Sequence, residues 1–304
     1  MTDLAVVIVT WNVRALALET VRSLLADVAA HGPETDVYVV DCASSDGTAA
    51  AIEAAFPTVN VIASTENLGF GRGNNLGISQ ALAKSQPAAV YLLNPDTITQ
   101  PQATGHLFDT LMADPNVGLV GAQLQYGDGT FQHSAFSFPG LRQLWVEFFP
   151  TPGRLIEGRF NGRYPRSVYA AKQPFAVDFV LGATMMLRRE VIEQTGMFDE
   201  QFFMYCEEID WAWRIKSAGW QVLCVPEARV THLGGQSTSQ VRPQSVINLW
   251  TSRLRLYRKH QPAWKFWIAR QIIMQGMRRK LVEKDLQPAV ADAYGTVYAR
   301  AREP

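Results

Sequence analysis

At 304 residues, with 47% hydrophobic and 18% charged side chains, the chain is long enough to bury a sizeable core, which excludes a disordered or fibrous protein. Its 28 basic residues balance 28 acidic ones, so no overall field recruits a polyanion, and no nucleic-acid partner is expected. Cys42, Cys206 and Cys224 are odd in number and widely spaced, without a Cys-x-x-Cys pair, which argues against a disulfide framework or a zinc knuckle and for a reducing, cytosolic location.

The N-terminus runs directly into a β-like segment, without the basic start and apolar core of about 7–15 residues that a signal peptide needs. Over the first 120 residues, short apolar runs alternate with helical stretches. The runs are Ala5 to Thr10, Val37 to Asp41, Val59 to Ala63, Ala89 to Leu93 and Val117 to Val120. They are apolar on both faces, as in parallel strands covered by helices, and right-handed crossovers align their carboxyl ends along one sheet edge. Open α/β sheets bind ligands at that edge, and polar residues collect there: Thr10-Trp11-Asn12, Asp41-Cys42-Ala43-Ser44 and Asn94-Pro95-Asp96.

Asp41, at a strand end, is placed to accept hydrogen bonds from a base or a ribose hydroxyl. Asp46-Gly47-Thr48 reads as a turn and helix cap. The loop from Asn67 to Gly77 carries Gly69, Gly71, Gly73 and Gly77, which let backbone approach a ligand. It fails as a dinucleotide fingerprint because Asn74 stands where a glycine or alanine is needed and because it follows the third strand. Arg72 in this loop is able to pair with a phosphate. Leu92 to Thr97 ends the fourth strand with Asn94 and Asp96 across a proline, a candidate Mg²⁺ or Mn²⁺ site completed by substrate phosphates.

Residues from Gly127 to Pro174 are rich in Gly, Pro and aromatics and read as irregular structure over the sheet. A strand-like Val177 to Leu187 follows. Glu207-Glu208-Ile209-Asp210 then packs three acids into four positions with no base among them, a repulsion that a cation, a proton or a helix N-terminus must offset. Asp210 pairs with Arg214 at i,i+4 spacing, which leaves Glu207 and Glu208 for chemistry. Another strand, Gln221 to Val225, precedes His232, whose imidazole completes a metal site if the chain folds back towards Asp96.

From Arg229 to Val282 there is no Asp or Glu, while Trp250, Trp264 and Trp267 are interleaved with basic residues. The pattern fits amphipathic helices at an anionic membrane surface; a helix packed on the catalytic domain and an oligomer contact are the alternatives. Ala263 to Met274, the longest mostly apolar stretch here, is broken by Lys265, Arg270 and Gln271 and is too short to cross about 30 Å of hydrocarbon.

Six motifs, in order, resemble glycosyltransferase family 2, and more closely its bacterial rhamnosyltransferase-like branch. They are VVIVTWN (Val6 to Asn12), VVDCASSDGT (Val39 to Thr48), ENLGFGRGNNLGI (Glu66 to Ile78), LLNPDT (Leu92 to Thr97), the stretch Gly196 to Trp220, and THLGGQST (Thr231 to Thr238). The resemblance covers Leu4 to Tyr257 and implies a GT-A fold, an α/β fold whose Rossmann-like, mostly parallel central sheet is flanked by helices, with a C-terminal helical extension. It implies residues 1–240 as the catalytic domain and 241–304 as a basic helical region. Thr10 and Asp41 then lie near the nucleotide, and Asp96 takes the metal-binding D-x-D position with His232, Asn94 having replaced the first acid. The second acid of the family's pair, Glu208, is the base, with Glu207 the runner-up.

The expected donor-binding set is Thr10, Asn12, Asp41, Asn67, Gly69, Arg72, Asn75, Asn94 and Asp96, with Asp210 and Trp211 on the acceptor side. The implied enzyme is a metal-dependent, inverting transferase. It uses a dTDP- or UDP-linked sugar, rhamnose by the branch, and a glycan or lipid-linked acceptor in cell-surface polysaccharide synthesis, at the inner face of the cell membrane. A sugar nucleotidyltransferase lacks support, because no G-x-G-T-R-like loop follows the first strand. A non-catalytic nucleotide-sugar-binding protein is the remaining alternative.

Overall fold

The computed structural model describes residues 2–234, 241–283 and 286–303. The strands are β1 (Leu4–Thr10), β2 (Thr35–Cys42), β3 (Asn60–Ser64), β4 (Ala89–Leu93), β5 (Thr97–Thr99), β6 (Val117–Gln125), β7 (Phe131–Gln132), β8 (Ala135–Phe136), β9 (Phe175–Ala176), β10 (Phe179–Val180), β11 (Thr184–Arg188) and β12 (Gln221–His232). The helices are α1 (Arg14–His31), α2 (Thr48–Ala55), α3 (Gly69–Lys84), α4 (Ala103–Ala113), α5 (Leu141–Phe148), α6 (Gly153–Ile156), α7 (Arg166–Ala170), α8 (Arg189–Thr195), α9 (Glu207–Ser217), α10 (Arg242–His260), α11 (Ala263–Leu281) and α12 (Pro288–Arg302).

The main sheet runs β3-β2-β1-β4-β11-β6-β12-β5. The pairs β3-β2, β2-β1, β1-β4 and β6-β12 are parallel, whereas β11 is antiparallel to both β4 and β6. Alternate residues of β1 serve opposite faces: Leu4, Val6 and Ile8 pack with α1 and α4 side chains such as Leu24 and Leu107, and Ala5 and Val7 pack with Ile78 of α3 and Trp211 of α9. This two-sided burial is why the strands read as continuous apolar runs.

Three expectations need correction. The segment Val177 to Leu187 is two strands, since the chain turns at Leu181–Ala183 between β10, which pairs with β8, and β11. Residues between Gly127 and Pro174 carry β7, β8, three short α-helices, of which α5 buries Leu144, and a 3-10 turn at Arg159–Asn161. The last strand extends to His232 through a bulge between Val225 and Arg229, and this brings His232 beside β5. Gly235 to Thr238, the end of the last motif, lie outside the described residues.

The C-terminal helices build their own core from Trp250, Tyr257, Ile273, Met277 and Val297 around Leu144 of α5. Helix α10 is also tied to the catalytic layer. Ser252 Oγ donates to the Met204 carbonyl at 2.8 Å, Tyr257 Oη to the Gly140 carbonyl at 2.7 Å, and His260 Nε2 lies 2.7 Å from Asp210.

Candidate active site

Strands β1 and β4 end at a cleft of ≈ 270 Å³, whose polar lining is Thr10, Asn67, Asn94, Asp96, Glu207, Glu208 and His232. Four of those side chains carry a buried polar atom without a hydrogen-bond partner: Thr10 Oγ1, Asn94 Oδ1, Glu207 Oε2 and His232 Nδ1. Burying such atoms unpaired costs about 1–3 kcal/mol each, so their convergence on one cleft marks a site built for a ligand.

The strand ends are shaped by backbone in the left-handed region. Asn12 follows β1 at φ 52° and Ala43 follows β2 at φ 59°. The two loops are laced together: the Asn12 amide donates to Ser44 Oγ at 2.9 Å, and the Ser45 amide donates to Asn12 Oδ1 at 2.8 Å. Asp41 accepts from the Ser44 amide at 3.1 Å and from the Ser44 hydroxyl at 2.5 Å. Asn12 and Asp41, expected as donor ligands, thus brace the two loops and do not line the cleft, whereas Thr10, Trp11 and Cys42 form its wall. Asp46 accepts from the Thr48 amide at 3.1 Å and the Arg14 amide at 3.0 Å, capping α2 and α1 as its turn pattern suggests.

At the end of β4 the Asn94 amide donates to the Ala183 carbonyl at 3.0 Å, and Thr97 Oγ1 donates to the Asn94 carbonyl at 2.8 Å. This turn aims Asn94 and Asp96 inward. The Leu233 amide donates to the Asp96 carbonyl at 3.0 Å, and His232 Nε2 stands 3.5 Å from Asp96 Oδ1. Among the described residues no cluster of three or more His, Cys, Asp or Glu side chains is arranged for a metal. One carboxylate, one imidazole with an unpartnered nitrogen and a neighbouring unpartnered amide oxygen nevertheless suit a hard divalent ion that takes its other ligands from phosphate oxygens.

The glycine-rich segment forms the N-terminal half of α3. Gly69 has φ +72°, and a Cβ there would collide with Phe203, so only glycine lets the helix start this close to the acidic loop. Asn67 Oδ1 accepts the Gly69 amide at 3.0 Å. Two further expected donor ligands, Arg72 and Asn75, are placed elsewhere. Arg72 pairs with Glu66 at 3.0 Å and lies near Glu200 at 3.9 Å, outside the cleft. Asn75 is a buried clamp: its amide bonds the Phe198 carbonyl at 3.0 Å and Glu200 at 3.1 Å, and its oxygen accepts the Phe198 amide at 3.0 Å.

Tyr205 at φ 70° and Cys206 at φ 69°, two consecutive non-glycine residues in the left-handed region, turn the chain into α9. Such a conformation costs about 1–2 kcal/mol per residue and is retained where the neighbouring structure enforces it. Its result is that Glu207 and Glu208 line the cleft at a helix N-terminus. Burial, with repulsion from Glu208, raises the Glu207 carboxyl well above its ordinary range. Burial likewise pushes Glu208 up to about 7, against the backbone amides of the helix start.

Asp210 faces the other way. Burial would raise it, but hydrogen bonds from His260 and Lys259 and the charge of Arg214 hold it at about 2. Its partners are Arg214 at 3.0 Å, Lys259 at 2.8 Å and His260 at 2.7 Å. Trp211 is fully buried and donates through Nε1 to Thr195 Oγ1 at 2.9 Å. Neither of these two residues, expected on the acceptor side, lines the cleft; both are held in the scaffold beneath it.

Trp11, Phe70, Gly182, Met204 and Tyr205 also line the cleft and were not singled out from the sequence, because apolar wall residues look like core. Gly182 stands beside the acid, where an added Cβ would make ordinary contact with Glu208 at 3.6 Å.

The family model "Glycosyltransferase like family 2" matches residues 2–258. An N-acetylglucosaminyl-diphospho-decaprenol L-rhamnosyltransferase of Mycobacterium tuberculosis is 30% identical over 216 residues, 67% of this chain and 68% of that protein. Rhamnosyltransferase WbbL of Escherichia coli is 26% identical over 54% of this chain and 60% of its own length. A crystal structure of GalNAc-T7 with UDP, GalNAc and Mn²⁺ superposes with a TM-score of 0.53 at 17% identity; the match covers 76% of this chain and 43% of that one. At that identity the likeness speaks for the fold, and the shared fold is GT-A. The ordered motifs, the sheet and these matches together make the chain a member of glycosyltransferase family 2.

Proposed function

We propose that the chain transfers a sugar, rhamnose by its relatives' names, from a dTDP- or UDP-linked donor to a hydroxyl of a lipid-linked or polysaccharide acceptor, with inversion at the anomeric carbon. One observation carries this reading: a single cleft holds both the unpartnered polar atoms of Thr10, Asn94 and His232 and a carboxyl, Glu208, that burial pushes up to about 7. Glu208 takes the acceptor hydroxyl's proton as that oxygen bonds to the anomeric carbon. The bond from the anomeric carbon to the phosphate oxygen breaks, and the nucleoside diphosphate leaves with the electron pair from the opposite face. General-base assistance of this kind contributes about 10²–10⁴-fold. Asp96 and His232 would hold a Mg²⁺ or Mn²⁺ ion, which would supply positive charge against the leaving diphosphate.

The acceptor points to a membrane. No described helix is long and apolar enough to cross one, but Trp264 and Trp267 of α11 are each 59% exposed within the acid-free, basic segment from Arg229 to Val282. That combination suits peripheral contact with an anionic bilayer at its cytosolic face.

Thermal shift with dTDP, UDP and their sugars, with and without Mn²⁺, tests the reading, since a ligand that binds only the folded state must stabilise it. At least one nucleotide is expected to raise Tm in a Mn²⁺-dependent way, and Asp96→Asn is expected to remove that dependence. Absence of any shift across the panel would remove the basis for a nucleotide-sugar enzyme.

A further inference from the structure

Glu207 is 4% exposed and lines the cleft, and its Oε2 is one of the buried atoms there without a hydrogen-bond partner. The transfer step described above gives it no task. The cations around it are committed to other acids: Arg214, Lys259 and His260 to Asp210, and Arg253 of α10 to Glu147 at 2.8 Å. Arg253 lines a second cavity that Glu208 also lines, and its charge favours the ionised form of Glu208. Glu207 gains no such help: Glu208 beside it repels a second anion, and burial holds the neighbouring Cys206 as a thiol. Across the cleft, Asp96 and His232 stand 3.5 Å from each other. A carboxylate buried without a cation is far costlier than a neutral carboxyl, so Glu207 keeps its proton. A protonated carboxyl carries one O–H donor. Successive residues of a helix do not face each other, and Oε2 has no partner in Glu208.

We infer that Glu207 works as a neutral carboxylic acid that donates a hydrogen bond from Oε2 to a hydroxyl of the sugar being transferred. This inference rests on the glycosyl-transfer reading above. A base that serves the incoming hydroxyl stands near the anomeric carbon, and the Cα atoms of successive residues are about 3.8 Å apart, so Glu207 belongs with Glu208 at the sugar end of the cleft. The diphosphate belongs at the other acid, Asp96, with His232. A sugar hydroxyl offers lone pairs without charge, which suits a neutral donor that no cation accompanies. Neutrality also serves the approach of the donor. Two ionised carboxylates side by side would repel a diphosphate, whereas one neutral acid beside one carboxyl at about 7 leaves the cleft open to an anionic ligand.

The test is calorimetry on the full chain in Mn²⁺, with dTDP-rhamnose against dTDP and UDP-glucose against UDP, for wild type, Glu207→Gln and Glu207→Leu. Glutamine keeps an N–H donor at this place; leucine has none. For the pair that the wild type binds, the ratio of sugar-nucleotide to nucleotide affinity is expected to hold within about twofold in Glu207→Gln and to fall about tenfold in Glu207→Leu, the size of one lost hydrogen bond. An undiminished ratio in the leucine variant, or an equal fall in both variants, overturns the inference. So does loss of the Mn²⁺ dependence of nucleotide binding in Glu207→Gln, which makes the side chain a metal ligand. Unchanged affinity for the bare nucleotide shows that a variant is folded. If leucine prevents folding, turnover of the glutamine variant decides. A neutral donor predicts a much smaller loss of kcat than Glu208→Gln causes, with the pH midpoint kept near 7, whereas a loss of about 10²–10⁴-fold marks an ionised base and overturns the inference. A wild type that binds no nucleotide is the separate outcome that defeats the glycosyl-transfer reading.

Discussion

As the proposed base, Glu208, pushed up to about 7 by burial, is expected to set how transfer responds to pH. A base works only when deprotonated, so kcat/KM is expected to rise with pH through about 7 and level off above it, and Glu208→Gln is expected to lower kcat by about 10²–10⁴-fold at the plateau. Stability moves the other way. The folded-state value lies above the ordinary carboxylate value of 4.5, so the folded chain holds a proton that the unfolded chain has released between these values, and stability falls as pH rises through that window. Glu208→Gln is therefore expected to raise Tm at pH 8 and to leave it unchanged near pH 4, read by calorimetry. Asp210 is the converse. Its value of about 2 is below the ordinary 3.8, so its contribution is present above about 4 and is lost as pH falls towards 2. Asp210→Asn leaves Arg214, Lys259 and His260 without their shared carboxylate, at an expected cost of about 3 kcal/mol in chemical denaturation. The sequence spacing revealed the Arg214 pair, but not Lys259 or His260, which lie some fifty residues downstream.

Among the elements, the parallel strands and their polar ends were legible because burial on both faces leaves an unmistakable apolar run. Strand β11 has the same burial pattern, and nothing in Thr184–Arg188 records that its neighbours run the opposite way. Likewise Asn75 sits in a motif that looks ligand-directed, yet its amide is consumed by Phe198 and Glu200, more than a hundred residues away. Glycine positions separate helix packing from chemistry. A Cβ at Gly276 of α11 would overlap the ring of Phe148 in α5, which stacks on Trp250 at 4.6 Å. Gly276→Ala is expected to cost about 1–3 kcal/mol by overpacking and to leave the Mn²⁺-dependent nucleotide shift in place. Gly69→Ala is expected to do the reverse damage, weakening nucleotide binding by displacing the Phe203 segment from the cleft rim.

For the whole molecule, the family match ends at residue 258, inside α10, and the contacts of Ser252, Tyr257 and His260 show why that helix travels with the catalytic layer. Helices α11 and α12 pack behind it and leave Trp264 and Trp267 outward. Replacing both with Ser is expected to cut binding to phosphatidylglycerol vesicles at least about tenfold in co-sedimentation, with donor turnover retained. The basic, Trp-rich tail was visible in the sequence. That it also walls the cavity behind Glu208 through Arg253 was not, because only the fold brings α10 against α9. The account as a whole is tested most directly by nucleoside diphosphate release from a panel of dTDP- and UDP-sugars, with Mn²⁺ and a prenyl-diphospho-sugar acceptor, in wild type and Glu208→Gln. Acceptor-dependent release by the wild type from at least one donor, reduced about a hundredfold or more in the variant, is the predicted result. No release from any donor, or equal release by both proteins, would contradict it.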